Sequence, residues 1–344
     1  MEKIKNGLNL MVIIMFCLLY GQGNAQNLQA DNMLLCQRAS GGWYKQLRGK
    51  PIKYNAEFTL ADKAQIAVEV EKGEATIDNE ATTKEIKYLV KAYKKYNNSK
   101  YLTAAENGIR YLLKAQYKNG GWPQYYPDRS LYRAEITYND NAMLNVLNVL
   151  QDIVLKQNDF DVVNPELIEP SATAVSKGID CILKTQIRVN GKLTAWCQQY
   201  NEKTLQPAKA RAYELPSISG AESVGLVEFL MIQPNPSQEM KDAINAAVEW
   251  FQIVKITGYR IEYAPAPGTP KGKNRILVAD STSTMWARYY EIETFKPFFC
   301  DRDGVKKYSI QEIGYERRNG YSWYGNWPEK LLEKKYPAWL KNNK

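Results

Sequence analysis

A glycine and tryptophan segment that recurs at nearly even spacing constrains this chain most. Ala39 to Leu47 reads ASGGWYKQL, Lys114 to Tyr126 reads KAQYKNGGWPQYY, and Lys184 to Tyr200 reads KTQIRVNGKLTAWCQQY, so that Gly41, Gly120 and Gly191 stand 79 and 71 residues apart. Each interval has room for two helices and their loops, which makes the repeating unit a helical hairpin closing on a glycine turn and a tryptophan. Apolar residues keep helical spacing at Ile86, Leu89, Val90 and Tyr93; at Ile109, Leu112 and Leu113; and at Met143, Val146, Leu147 and Leu150. The same period returns at Val175, Ile179, Ile182 and Leu183; at Val224, Val227, Leu230 and Met231; and at Ala243, Ala247, Trp250 and Phe251. A ring or partial ring of such hairpins hides one face of every helix and gathers the loops at one end. The chain therefore reads as all-α, with short strands at Arg260 to Pro270 and Val278 to Trp286.

Each hairpin carries a polar counterpart at a helix entry: TIDNEATT at Thr76 to Thr83, TYNDNAM at Thr137 to Met143, and SISGAESV at Ser217 to Val224. Singly, Asp78, Asp140 and Ser219 read as helix caps. Their recurrence at equivalent ends argues instead for one shared polar site. Asp78 with Asn79, and Asp140 with its flanking asparagines, offer hard oxygen ligands of the kind calcium or magnesium takes, although the regular loop of an EF-hand is missing. The tryptophans Trp43, Trp122 and Trp196 suit either packing or sugar stacking.

Composition removes whole classes of chemistry. The chain has no histidine, so imidazole-based zinc sites and the Ser-His-Asp and Cys-His arrangements are excluded. Acid and base work falls to carboxylates, Lys, Arg, Tyr or a metal-bound water. The formal charge is +9, with no nucleic-acid module or concentrated basic stripe, so the expected partner is an acidic polymer rather than DNA or RNA. Residues 1–25 have the order of a secretory signal: Lys3 and Lys5, an apolar stretch from Leu8 to Tyr20, then small residues up to Ala25. That apolar stretch is short for a membrane span. A secreted or periplasmic protein without membrane insertion is expected, with 26–344 as its single catalytic domain. Cys36, Cys181, Cys197 and Cys300 leave the disulfide pairing open.

The basic candidates are Lys209 and Arg211, in AKARAYELPS beside Tyr213 and Glu214; Arg288, shortly after Trp286; and Arg302, in CDRDG. Arginine suits bidentate recognition of carboxylates.

Taken in order, TIDNEATT, KAQYKNGGWPQYYP, TYNDNAM, ARAYELPSISGAES, WARYYEI and FFCDRDG resemble polysaccharide lyase family 10, the pectate lyases. The resemblance runs from about Ala30 to Trp339. It implies an α/α toroid of three helical hairpins and calcium-assisted, endo-acting β-elimination of polygalacturonate. It also assigns roles: Asp78, Asn79 and Asp140 to the calcium and substrate-carboxylate site, Arg211 to proton abstraction, and Arg288, Arg302 and Lys177 to substrate binding. The chemistry agrees, because removing the C5 proton of a uronate builds charge on its carboxylate and needs no histidine. A hydrolase using Asp140 with Glu214 or Glu222 and a non-catalytic uronate-binding protein are the alternatives. A monomer working along an anionic chain fits the charge.

Overall fold

The computed structural model describes residues 27–343; the signal-like segment 1–25 lies outside them. Two helices come first, α1 (Leu28–Cys36) and α2 (Leu60–Val70), and then three antiparallel hairpins: α3 (Thr83–Tyr96) with α4 (Ser99–Ala115), α5 (Ala142–Leu155) with α6 (Ile168–Thr185), and α7 (Glu222–Met231) with α8 (Gln238–Ile253). All six periodic segments are helices, and together they give the expected α/α toroid of three hairpins.

Local chemistry sets the hairpin ends. In α3, Ile86, Leu89 and Val90 are buried while the Lys94 and Lys95 end is solvated. The helix stops at Asn97, which takes a left-handed conformation and closes back on Tyr93. Asn98 then caps α4 by accepting from the Lys100 N–H. Ser237 does the same for α8.

A four-fold clasp joins the units. The indoles of Trp43, Trp122, Trp196 and Trp286 are buried, and each donates to a carbonyl of a preceding helix: Met33 (2.8 Å), Leu112 (2.8 Å), Ile182 (2.7 Å) and Phe251 (2.8 Å). The carbonyls of the first three accept from Thr76, Thr137 and Ser219 at 3.0, 3.2 and 2.7 Å. These residues belong to two-residue strands, Ala75–Thr76, Ile136–Thr137 and Ile218–Ser219, each paired antiparallel with a strand of the next unit: Tyr125–Tyr126, Gln199–Tyr200 and Tyr289–Tyr290. The tryptophans are therefore packing residues. Gly108 and Gly178 make room for two of them, since a Cβ on either would lie 2.8 Å from the Trp43 ring or 3.2 Å from that of Trp122.

The expected strands are displaced: the long β-hairpin runs Ile256–Pro265 and Lys273–Ala287. Its turn holds Pro267 and Pro270, which lack an N–H, and left-handed Gly268 and Gly272, so the ladder cannot continue through it. Helices α1 and α2 went unpredicted. The four cysteines of the described chain are buried free thiols, and no described helix is long and apolar enough to cross a membrane.

This packing sets two stability outcomes. Gly120 has φ +92, and a Cβ there would sit 1.9 Å from the Lys177 carbonyl oxygen. Gly120→Ala is expected to cost roughly 1–3 kcal/mol of stability, read as a lower denaturant midpoint at unchanged slope; an unaltered midpoint would contradict the close approach. Glu85 is fully buried in the first turn of α3 with no hydrogen-bond partner among the described residues, and burial pushes its carboxyl up to about 7 from 4.5. The folded chain then binds this proton more tightly than the unfolded one, so the stabilisation is complete below pH 4.5 and is lost as pH rises to about 7. Glu85→Gln should gain on the parent across that window and hold a constant advantage above it, at ~1.4 kcal/mol for each tenfold difference in proton affinity between the folded and unfolded chain. Equal differences at about pH 5 and about pH 8 would refute this.

Candidate active site

Equivalent loops at the entries of α3 and α5 carry the two acidic candidates. Asp78 and Asp140 sit in short 3-10 turns, Asp78–Glu80 and Asn139–Asn141, with Asn79, Asp140 and Asn141 in left-handed conformations at φ 50, 51 and 58. Asn and Asp tolerate that region better than other side chains do. Neither α3 nor α5 has a side-chain cap. The capping reading survives only at Ser219, whose Oγ accepts from the Ala221 and Glu222 N–H groups at 3.2 Å. The two aspartates face a shared cavity instead.

That cavity has a volume of about 190 Å³, and Asp78, Asn79, Asp140, Arg211 and Glu214 all line it, with Lys45, Gln124 and Gln199. The clasp explains this convergence. Two residues beyond each clasping tryptophan the chain places a polar side chain: Lys45, Gln124, Gln198 and Arg288. Lys45 pairs with Asp78. Arg288 pairs with buried Glu222 and reaches Asp140 at 3.8 Å. Gln198 accepts from the Tyr289 hydroxyl at 2.7 Å. This tryptophan-plus-two pattern was present in the sequence and is the signal that could have found Lys45, Gln124 and Gln198.

Arg211 is held on three sides. Its Nε donates to Glu214 Oε2 at 2.7 Å, its backbone N–H reaches the same oxygen at 3.1 Å, and a terminal nitrogen pairs with Oε1. Glu214 is itself buried and accepts from the Tyr321 hydroxyl at 3.1 Å. The Arg211 guanidinium lies 5.0 Å from the Tyr213 ring centroid and 6.0 Å from that of Tyr321. Burial works against its charge, but the Glu214 carboxylate outweighs burial and holds the pKa above the ordinary arginine value. Arg288 follows the same logic through Glu222. Asp140 moves upward, mainly because burial penalises its charge, with Glu222 and Asp78 adding repulsion against the pull of Arg288.

Not every candidate arrives here. Arg302 sits on an exposed loop, paired with Glu316 at 3.2 Å and 5.9 Å from the Tyr213 ring that also underlies Arg211. It belongs to the rim, one aromatic ring from the centre. Lys177 is not brought to the site: it is exposed midway along α6, where its backbone carbonyl lies close against Gly120. Glu214 and Glu222, the possible hydrolase carboxylates, are each engaged by an arginine.

The donor set suits a hard divalent cation. Asp78, Asp140 and the Asn79 amide face the cavity, and the buried side-chain amide oxygens of Gln124 and Gln199 have no partner among the described residues. Among those residues no three acidic side chains gather closely enough to hold an ion. The set is open and needs oxygens from outside to complete it.

The sequence profile of the pectic acid lyase family matches residues 37–332. A family 10 polysaccharide lyase from Cellvibrio cellulosa is 37% identical, covering 91% of this chain and 92% of its own, with a TM-score of 0.78. An aspartate-to-alanine mutant of a family 10 polysaccharide lyase from the same organism, in complex with trigalacturonic acid, is 37% identical over 90% of this chain and 92% of its own, with a TM-score of 0.77. No curated protein sequence matches the chain significantly.

Removing one partner of the Arg288–Glu222 pair strands a buried charge. Arg288→Ala should cost roughly 3–5 kcal/mol, and adding Glu222→Gln should recover part of that loss in a double-mutant cycle. Strictly additive losses in thermal unfolding would contradict the pairing.

Proposed function

The chain belongs to the pectic acid lyase family, and from that premise we propose that the shared cavity is where a galacturonate residue loses its C5 proton, with Arg211 taking it. The enzyme is an endo-acting pectate lyase that breaks α-1,4-linked polygalacturonate by β-elimination and leaves 4,5-unsaturated oligouronides. The observation that carries the site assignment is that Asp78, Asp140 and Arg211 face one cavity with Arg288 at its edge. A uronate placed there meets carboxylate-binding cations on one side and the proton-abstracting group on the other.

Each side chain has a role in this reading. Arg288 and Asn79 orient the uronate carboxylate, and Arg302 receives a neighbouring residue of the polymer at the rim. Asp78 and Asp140 hold calcium, which when bound supplies positive charge to the substrate carboxylate as the C5–H bond breaks. Arg211 starts as a protonated guanidinium, so it must release a proton before it accepts one from C5. Glu214, bidentate to Arg211, holds the guanidinium in place, and that proton leaves to solvent hydroxide. The electron pair of the C5–H bond then forms the C4–C5 double bond while the C4–O bond breaks, and the departing sugar oxygen takes a proton from water. Because Arg211 must be deprotonated first, turnover should climb toward alkaline pH. Residues 1–25 direct export in the same reading, which puts the enzyme where its polymer is, secreted or periplasmic, with 26–344 as one catalytic unit.

The direct test is ultraviolet absorbance of polygalacturonate incubated with the purified protein at alkaline pH, with calcium and with chelator. A calcium-dependent rise from conjugated unsaturated uronides is expected, whereas new reducing ends without that absorbance would mean hydrolysis. Arg211→Ala should abolish the rise while keeping substrate binding, and fast turnover in that variant would remove Arg211 from its role. Glu214→Gln should lower kcat by roughly 10²–10⁴ with little change in KM; a change confined to KM would make Glu214 a binding residue only.

A further inference from the structure

Helix α2 and the tight turn that precedes it lie outside the three hairpins, and between them is a second cavity of about 350 Å³ that the catalytic reading leaves unused. Tyr44, Gln46, Arg48, Gln65 and Lys72 are among its lining residues. It shares a wall with the catalytic pocket. Tyr44 lines the second cavity, Tyr125 lines the first, and their ring centroids are 5.9 Å apart. Lys45, the residue after Tyr44, pairs with Asp78.

The charges lining it are unevenly committed. Glu69 is held by Arg38 (3.2 Å) and Lys72 (2.7 Å), and Glu74 by Arg133 (3.0 Å). Arg48 has only a loose 3.6 Å contact with Asp62, and nearly half of its side chain (48%) is exposed. Its backbone adds an independent observation. The residue pairs Gln46 with Pro51 and Leu47 with Lys50 leave a two-residue loop, Arg48-Gly49, with φ 53 and 73. Positive φ at both central positions is the turn that Asn-Gly satisfies most readily. An arginine in the first position is sterically costly, and the turn aims that costly residue at the cavity.

We propose that this cavity is a non-catalytic subsite of the cleft, taking a further galacturonate residue of the chain whose scissile bond lies in the catalytic pocket. Tyr44 serves as the platform for the sugar ring and Arg48 as the partner of its carboxylate. The proposal rests on the lyase reading above and deepens it: the subsite makes the enzyme prefer longer chains.

The test is Arg48→Asn, a variant that suits the turn better, so loss of folding cannot hide the result. For the parent, kcat/KM should rise from trigalacturonate to longer oligogalacturonates. In Arg48→Asn, trigalacturonate should be cut as by the parent, the gain with length should shrink about tenfold, and the melting temperature should hold or rise. An identical length dependence in parent and variant would overturn the subsite while leaving the lyase reading intact, as would an equal loss on trigalacturonate. A parent that releases no unsaturated uronides from any of these substrates would instead bring down the lyase reading.

Discussion

The rest of the structure depends on the indole clasp. Each buried tryptophan hides on the order of 200 Å², worth roughly 5 kcal/mol at ~25 cal/mol/Å². Direction matters more than that sum. The indole N–H of each clasp fixes one helix end, and in the first three the backbone carbonyl fixes the strand ahead of an inner helix. With tryptophan held, the residue two positions on has little freedom: Lys45 and Gln124 line the central cavity, and Arg288 reaches Asp140 at 3.8 Å. Packing and active-site geometry are thus one set of contacts.

The cavity these contacts build is dense in charge. Asp78, Asp140, Glu214 and Glu222 face Lys45, Arg211 and Arg288, largely as ion pairs. Where such pairs are buried, as at Arg288–Glu222, they seldom repay their desolvation, and apolar replacements are often as stable. Their presence is better explained by the substrate, a polyanion that must be held by cations, than by folding. The raised Asp140 carboxyl points the same way: burial first, and then repulsion from Glu222 and Asp78, disfavours its charge, which entering positive charge would favour. Glu214 has a double consequence, because it orients Arg211 while also making that guanidinium harder to deprotonate.

Much of this was legible in the sequence, for identifiable reasons. The six helices of the hairpins follow from apolar period, and their ends from Asn97, Asn98 and Ser237. Asp78 and Asp140 were found because they recur at equivalent helix entries. The N-terminal helices α1 and α2 were not found, since neither lies between two of the glycine and tryptophan segments with an apolar period as regular as those of the hairpins. Lys177 entered only through the family resemblance, and its position falls on the exposed face of α6. Lys45 and Gln124 escaped because the repeated glycine and tryptophan are the conspicuous residues and the polar side chain two positions later is not the same in all repeats. The turn at Arg48-Gly49 lacks the usual Asn-Gly signature, so its left-handed arginine is visible only in the backbone.

The central claim is that this open set of oxygens and cations is completed by a uronate and a calcium ion together. Calorimetric titration of calcium into the Arg211→Ala protein, with and without trigalacturonate, addresses it without turnover. Linkage requires each ligand to tighten the other by the same factor. The account predicts calcium binding at least about tenfold tighter when trigalacturonate is present, with that gain lost in Asp78→Ala and Asp140→Ala. Calcium affinity that ignores trigalacturonate, or a gain that survives loss of both aspartates, would contradict it.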